Sequence, residues 1–260
     1  MERESSNQNN QIKNTVGVDI EKDNILMIPT TKDEQAYLEI FKYEIQKAGL
    51  IYNSKIVDDN YLVRFLRARK LDIKKTMEMF TTYVKWRKDE DIDNISSFDF
   101  KEENDVLSIY PRGLHKTDKF GRPVHYELLG TVDIEQLLKV SSLDRLLRFN
   151  VKKIDFLVNK IFPICSKAYG KNVSQFINIL DLKGFSIRLM SKKVYDYIRV
   201  DSSNMQNGFP EVLGQLFVLN TGYVFTTCWA LIKGFLDERT KKKVVFPGKN
   251  YLADLAQVVS

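Results

Sequence analysis

The chain has 260 residues, 43% hydrophobic and 28% charged, with a formal net charge of +6. That length buries a sizeable core in one large or two small domains, and the composition is ordinary for a globular protein. The positive balance favours anionic partners (a membrane surface, phospholipid headgroups or nucleic acid), and two cysteines, Cys165 and Cys228, make no disulfide framework and point to a reducing compartment.

Residues 1–24 are polar, rich in Asn, Gln, Ser and Asp, and predict a disordered arm. They hold no apolar run of a signal peptide, and Glu2 rather than Gly follows Met1, which argues against myristoylation. Thr31 and Glu34 form a capping box; Tyr37, Leu38, Phe41 and Ile45 follow at helical spacing, and Gly49 closes that helix. Asp58 and Asp59 open a second helix with Leu62, Val63, Phe65 and Leu66 inside. Arg64, Arg67, Arg69 and Lys70 cluster around it, either as a solvated face or, for Arg67 and Lys70 on one side, as phosphate contacts. Asp72 caps a third helix with Ile73, Met77, Phe80 and Val84 inward. Residues 30–90 therefore read as a small helical domain.

Residues 116–123 read as a tight turn feeding an extended segment, Val124 to Leu129. Ser141 or Ser142 caps a long helix whose apolar positions, Leu143 through Ile161, step by three and four; Pro163 is expected to end it. Phe176 to Leu180 is a strand closed by Asp181-Leu182-Lys183-Gly184, and a helical pattern runs from Ile187 to Val200. Strands alternating with helices from about 105 onward give an α/β domain with a largely parallel sheet, over 105–260.

From Val212 to Ile232 no residue is charged, about the length of a membrane span. Asn220-Thr221-Gly222 breaks it, and Asn, Gln and Gly inside a bilayer need partners, so the stretch reads as strand, turn, helix, strand. Gln215 to Leu219 forms the first strand and Val244-Val245-Phe246 the second, a parallel crossover. The helix between them repeats Phe225, Cys228, Trp229, Leu231, Ile232, Phe235 and Leu236 with a single charge, Lys233. It is either a core helix or a movable wall over an apolar cavity or against a membrane.

Catalytic patterns fall short. Cys165-x5-Lys171 lacks the Arg of a phosphate cradle, Gly184-Phe185-Ser186-Ile187-Arg188 lacks the last Gly of a nucleophile elbow, and Gly248-Lys249 lacks the upstream Gly of a P-loop. His115 and His125 are the only histidines, and with no Cys pair they make no zinc site. No cofactor is expected. No nucleic-acid module is visible, and the 34 Asp and Glu residues argue against that partner. Lys241-Lys242-Lys243 reads as a solvated face.

Several segments, in matching order and spacing, resemble the Sec14-like, or CRAL-TRIO, lipid-transfer family over about residues 35–258. They are Arg64 to Lys70 with Trp86-Arg87-Lys88, His115 to Val124, Asp181 to Gly184, Pro210-Glu211, and Gly234-Phe235-Leu236-Asp237. The nearest branch is the fungal type that transfers phosphatidylinositol and phosphatidylcholine. The resemblance implies a helical N-terminal lobe and an α/β lipid-binding lobe with a deep apolar pocket. It also implies that the helix around Phe225–Leu236 is a gate opening at membranes.

The resemblance further implies an inositol-phosphate end at Arg69, Lys70 and Glu211. The family's third cation falls at Ala253, with Lys249 as a substitute. At the choline end Ser186 keeps one hydroxyl, Arg188 replaces the second, and Gly113 and Leu114 stand where relatives carry Tyr. Arg188, if inward, favours an anionic headgroup. Relatives continue past Ser260. The implied activity is non-enzymatic binding of one phospholipid, phosphatidylinositol before phosphatidylcholine, and its exchange between cytosolic membrane faces. A monomer at Golgi or endosomal membranes is implied too. The rivals are a lipid-sensing or lipid-presenting adaptor and, behind it, a lipid esterase or phosphatase.

Overall fold

The protein is described from a computed structural model, over residues 31–54, 56–248 and 250–259. The arm expected over 1–24 lies outside the described residues. Three helices open the fold: α1 (Lys32–Lys47), α2 (Asp59–Ala68) and α3 (Ile73–Asp89). Each begins where a short polar side chain accepts a backbone N–H: Thr31 from Glu34, Asp58 from Tyr61, and Asp72 from Lys75. Leu38, Phe41 and Ile45 are buried as their spacing predicts. In α3 the buried residues are Thr76, Met79, Phe80, Tyr83 and Arg87; of the expected inward residues Phe80 is buried, and Ile73, Met77 and Val84 are half-buried against the same core. Phe80 and Tyr83 pack on Phe65, with ring centroids 5.2 and 4.9 Å away. Such edge-on pairs add about 0.5–1.5 kcal/mol each beyond the area they bury.

The basic cluster of α2 is divided: Lys70 is exposed and Arg69 half-buried, whereas Arg64 and Arg67 are buried. Arg64 donates from Nη2 to the Ser174 carbonyl at 3.0 Å, and Arg67 holds Glu34 through two bonds of 2.7 and 2.9 Å. Arg67 is thereby committed to a carboxylate.

Helix α4 (Glu103–Ile109) leads to β1 (Arg112–Thr117) and β2 (Pro123–Leu128). Helices α5 (Ile134–Val140) and α6 (Leu143–Phe156) follow. The long helix does not end at Pro163. It widens into a π turn over Leu157–Ile161, where the Phe162 N–H reaches the Leu157 carbonyl, and continues as α7 (Phe162–Tyr169). Proline is tolerated there because it occupies the first turn of the new segment, where its missing N–H has no partner to lose.

Next come β3 (Phe176–Asp181), α8 (Lys192–Gly208) and β4 (Leu213–Leu219). The chain finishes with α9 (Tyr223–Ile232), α10 (Glu238–Lys242), β5 (Val244–Val245) and α11 (Tyr251–Val258). The strands form one sheet in the order β1-β2-β3-β4-β5, with β1 antiparallel to β2 and the other pairs parallel. Among the described residues no helix is long and apolar enough to cross a membrane.

Strand alternation sorts the sheet into two faces. Val124, Ile177, Ile179, Phe217 and Leu219 lie on one, under Tyr251, Leu255 and Val258 of α11. His125, Glu127, Phe176 and Asn178 lie on the other, facing α6 and α8. The N-terminal helices join this layer through one shared core. Tyr61 donates to the Gly208 carbonyl at 2.9 Å, and Trp86 packs where a side chain on Gly208 would stand, 2.7 Å from its ring.

Candidate functional site, a two-ended cavity

Between the sheet and helices α6 and α8 lies a cavity in two joined halves of about 290 and 240 Å³. Ile154, Phe176, Asn178, Asp201 and Met205 line both and form its waist. The halves differ in chemistry.

The outer half lies where α2 ends, α8 turns into β4, and α10 packs. Arg69, Glu211, Leu236, Arg239, Thr240 and Lys243 all border it. Glu211 has a φ of +58°, a left-handed conformation that costs a non-glycine residue energy and recurs at functional sites. Its carboxylate is nearly enclosed and accepts from Arg239 Nε at 2.6 Å and Lys243 Nζ at 2.9 Å. Burial works against its charge, but Lys243 and Arg239 outweigh that and hold it below the usual carboxylate range. With Arg69 alongside, three cations border this half, together with the carboxylates of Glu211, Asp201 and Asp237. Arg69, Arg239 and Lys243 supply donors that receive a phosphate ester through charge-assisted bonds.

The inner half carries a polar cluster, so the pocket is not apolar throughout. Glu127 accepts from the Tyr110 hydroxyl and, at 2.8 Å, from Asn178 Nδ2. His125 Nδ1 lies 3.0 Å from Asn178 Oδ1. Burial raises the proton affinity of Glu127, but His125, Arg112 and Tyr110 outweigh it and keep the carboxyl well below its usual range. Across the waist Asn150 Nδ2 donates to the Tyr197 hydroxyl at 2.7 Å and to Asp201 Oδ1 at 3.1 Å. Burial pushes the Asp201 carboxyl up to about 6.

Of the expected headgroup residues, the cavity brings together Arg69 and Glu211. Lys70 has a φ of +53° and is exposed at the end of α2, outside both halves. Ser186 is exposed and borders neither half. Lys249 and the Arg188 side chain lie outside the described residues. Ala253 sits on α11, which covers the opposite face of the sheet, so no side chain there reaches the cavity. The cation beside Glu211 is Lys243, the last of the lysine run read as a solvated face. Its position directly before the half-buried strand Val244-Val245 was the available signal. Leu114 lines the inner half, where the resemblance placed a tyrosine.

The apolar helix divides its residues. Phe225 and Cys228 are buried, with Phe225 and half-buried Trp229 against Phe246 at 5.9 and 5.1 Å. Phe235 meets Tyr195 edge-on at 4.8 Å, Ile232 is half-buried, and Leu231 is exposed. Leu236 alone of the seven borders the two halves of the cavity. Tyr223, 93% exposed, opens the helix toward solvent. Cys165, the nucleophile of one rival reading, is buried in the shared core, and burial pushes its thiol up, away from the reactive thiolate.

Family models match twice: the CRAL/TRIO, N-terminal domain over residues 34–82 and the CRAL/TRIO domain over residues 108–260. The chain is 39% identical over 227 residues to the Sec14 cytosolic factor of Schizosaccharomyces pombe, covering 87% of this chain and 78% of that protein. It is 38% identical over 207 residues to the phosphatidylinositol/phosphatidylcholine transfer protein SFH12 of Arabidopsis thaliana, covering 78% of this chain and 37% of that longer protein. A crystal structure of Sfh5 superposes with a TM-score of 0.67 at 17% identity, covering 84% of this chain and 81% of the other, a likeness of fold. The chain belongs to the CRAL/TRIO family, with both its N-terminal and its lipid-binding domain, among the Sec14-like proteins.

Proposed function

We propose that this chain binds one phosphatidylinositol molecule in its cavity and exchanges it between cytosolic membrane faces without chemical turnover. The observation that carries the reading is the enclosed Glu211 carboxylate fixing Arg239 and Lys243 beside Arg69 at one end of an apolar-walled cavity. The phosphate meets Arg69, Arg239 and Lys243, and the inositol hydroxyls meet Glu211 and the Thr240 hydroxyl. Acyl chains run toward the waist of Ile154, Phe176 and Met205. Each methylene kept from water saves about 0.8 kcal/mol, which lets a closed cavity carry lipid through an aqueous phase. The segment Phe225–Leu236 is the gate: Leu236 borders the cavity, Leu231 faces outward, and at a membrane its apolar side exchanges protein contacts for lipid. The protein acts as a monomer, peripherally, on Golgi or endosomal membranes.

Native mass spectrometry after incubation with phosphatidylinositol vesicles tests this. One lipid per chain is expected, recovered unchanged, and Glu211→Ala lowers occupancy at least about tenfold, as for loss of a buried charged partner. Equal occupancy in the variant overturns the site. Lipid turnover abolished by Cys165→Ala or Ser186→Ala establishes an enzyme instead, and tight binding with negligible exchange establishes a sensing or presenting adaptor.

A further inference from the structure

The inner half of the cavity contains a guanidinium with one buried N–H group that meets no acceptor. Arg112 stands on β1 directly across from Glu127 on β2, both toward the cavity. Its guanidinium is sandwiched by the rings of Tyr110 and Phe149, at 4.7 and 5.4 Å. Nη2 is buried with no hydrogen-bond partner, and no carboxylate among the described residues closes an ion pair with Arg112. A buried guanidinium N–H left without an acceptor is costly. Glu127, directly across on β2, accepts from Tyr110 and Asn178 and makes no hydrogen bond to Arg112 Nη2.

The neighbouring groups have fixed roles. Ionised Glu127 only accepts, so the Asn178 amide must turn its NH₂ toward Glu127 and its oxygen toward His125. His125 Nδ1 therefore carries the hydrogen, and Nε2 is the ring nitrogen left for a ligand. Glu127 also favours the protonated ring against the opposing effect of burial. Opposite, Asn150 spends both amide hydrogens on Tyr197 and Asp201, which leaves its carbonyl oxygen and Asp201 Oδ2 as open acceptors. Arg112 and His125 thus offer donors to an anion, while Asp201 and Asn150 offer acceptors to a cation that donates hydrogen bonds.

We propose that the inner half is a second headgroup site, for a phospholipid whose phosphodiester carries a primary ammonium, of the phosphoethanolamine type. The phosphate lies against Arg112 Nη2 and His125 Nε2, and the ammonium against Asp201 and Asn150. A trimethylammonium group fits poorly. It donates no hydrogen bond, so it leaves both acceptors unmet, and the aliphatic Leu114 and Ile154 do not form the aromatic box such a cation prefers. This inference rests on the phospholipid-binding reading above. Because both halves share the waist, one lipid occupies the cavity at a time, and the phosphoethanolamine lipid and phosphatidylinositol exclude each other.

The test presents the whole chain with vesicles of equimolar phosphatidylethanolamine, phosphatidylcholine and phosphatidylinositol and reads bound lipid by native mass spectrometry. Phosphatidylethanolamine is expected at least about tenfold above phosphatidylcholine, the discrimination of one charged hydrogen bond. Arg112→Met is expected to lower phosphatidylethanolamine about tenfold while phosphatidylinositol occupancy holds, which also shows that the variant folds, and Asp201→Asn is expected to lower phosphatidylethanolamine about tenfold relative to phosphatidylcholine. Equal phosphatidylethanolamine and phosphatidylcholine, an Asp201→Asn variant that leaves that ratio unchanged, or an Arg112→Met variant that binds phosphatidylethanolamine as well as the wild-type chain, overturns the second site. Binding of soluble glycerophosphoethanolamine without the lipid overturns its assignment to a lipid. Phosphatidylinositol bound without phosphatidylethanolamine refutes this site alone, and the converse refutes the phosphatidylinositol reading alone. No bound lipid refutes both.

Discussion

Replacing Asp201 by Asn should stabilise the empty protein at neutral pH. Asp201 is half-buried on α8, facing Asn150 of α6, Glu127 of β2 and Arg112 of β1, with Tyr197 one turn earlier on its own helix. Burial lifts its carboxyl from the ordinary 3.8 to about 6; the Asn150 bond and Arg112 pull down and Glu127 pushes up. Below about pH 4 both folded and unfolded chains hold the proton, and the group costs nothing. Between about 4 and 6 the unfolded chain releases it first, so stability falls as pH rises. Above about 6 both are ionised and the folded state carries the full penalty. At about 1.4 kcal/mol per tenfold change in proton affinity, that penalty is about 3 kcal/mol at pH 7. Asparagine keeps a carbonyl for Asn150 and carries no charge. Urea titrations of both proteins without lipid should separate by about 3 kcal/mol at pH 7 and converge near pH 4. A constant gap across that window, or a less stable variant at pH 7, refutes the assignment of a buried, strained carboxylate.

Two further substitutions probe the fold that positions the cavity. Gly208→Ala drives a methyl into the Trp86 ring, 2.7 Å from its carbon, at the joint between the N-terminal helices and α8. Thermal unfolding should show a loss of about 1–3 kcal/mol, and a neutral result would mean that Trp86 is not packed there. Arg67→Met breaks a buried, two-bond contact with Glu34 and should cost about 3 kcal/mol, whereas Arg67→Met with Glu34→Leu should recover most of it. A double variant no better than the single one contradicts the pairing.

The helices announced themselves through their caps. Thr31, Asp58, Asp72 and Ser142 each accept the backbone N–H that their sequence position predicts. Strands β3 and β4 were readable as apolar runs, and β2 as an extended segment fed by a turn. Strand β1 was not, because Arg-Gly-Leu-His-Lys-Thr shows no hydrophobic alternation: it is an edge strand whose inward side chain is a charged Arg. The inner polar cluster was hidden for a related reason. Arg112, Glu127, Asn178 and Asp201 come from four elements, and only the sheet register and the packing of α8 bring them together. Arg67 and Lys243 look like ordinary surface charges in the sequence; each is drawn inward by a carboxylate distant along the chain, Glu34 and Glu211. Pro163 marked a helix end by its local chemistry, yet a single π turn let the helix pass through.

Transfer of labelled phosphatidylinositol from donor to acceptor vesicles, followed with the wild-type chain and with Lys243→Ala, tests the central claim most directly. The account predicts many lipids moved per protein molecule, slowed at least about tenfold by removal of the lysine that Glu211 holds at the cavity mouth. No transfer by the wild-type chain, or transfer indifferent to Lys243, would contradict it.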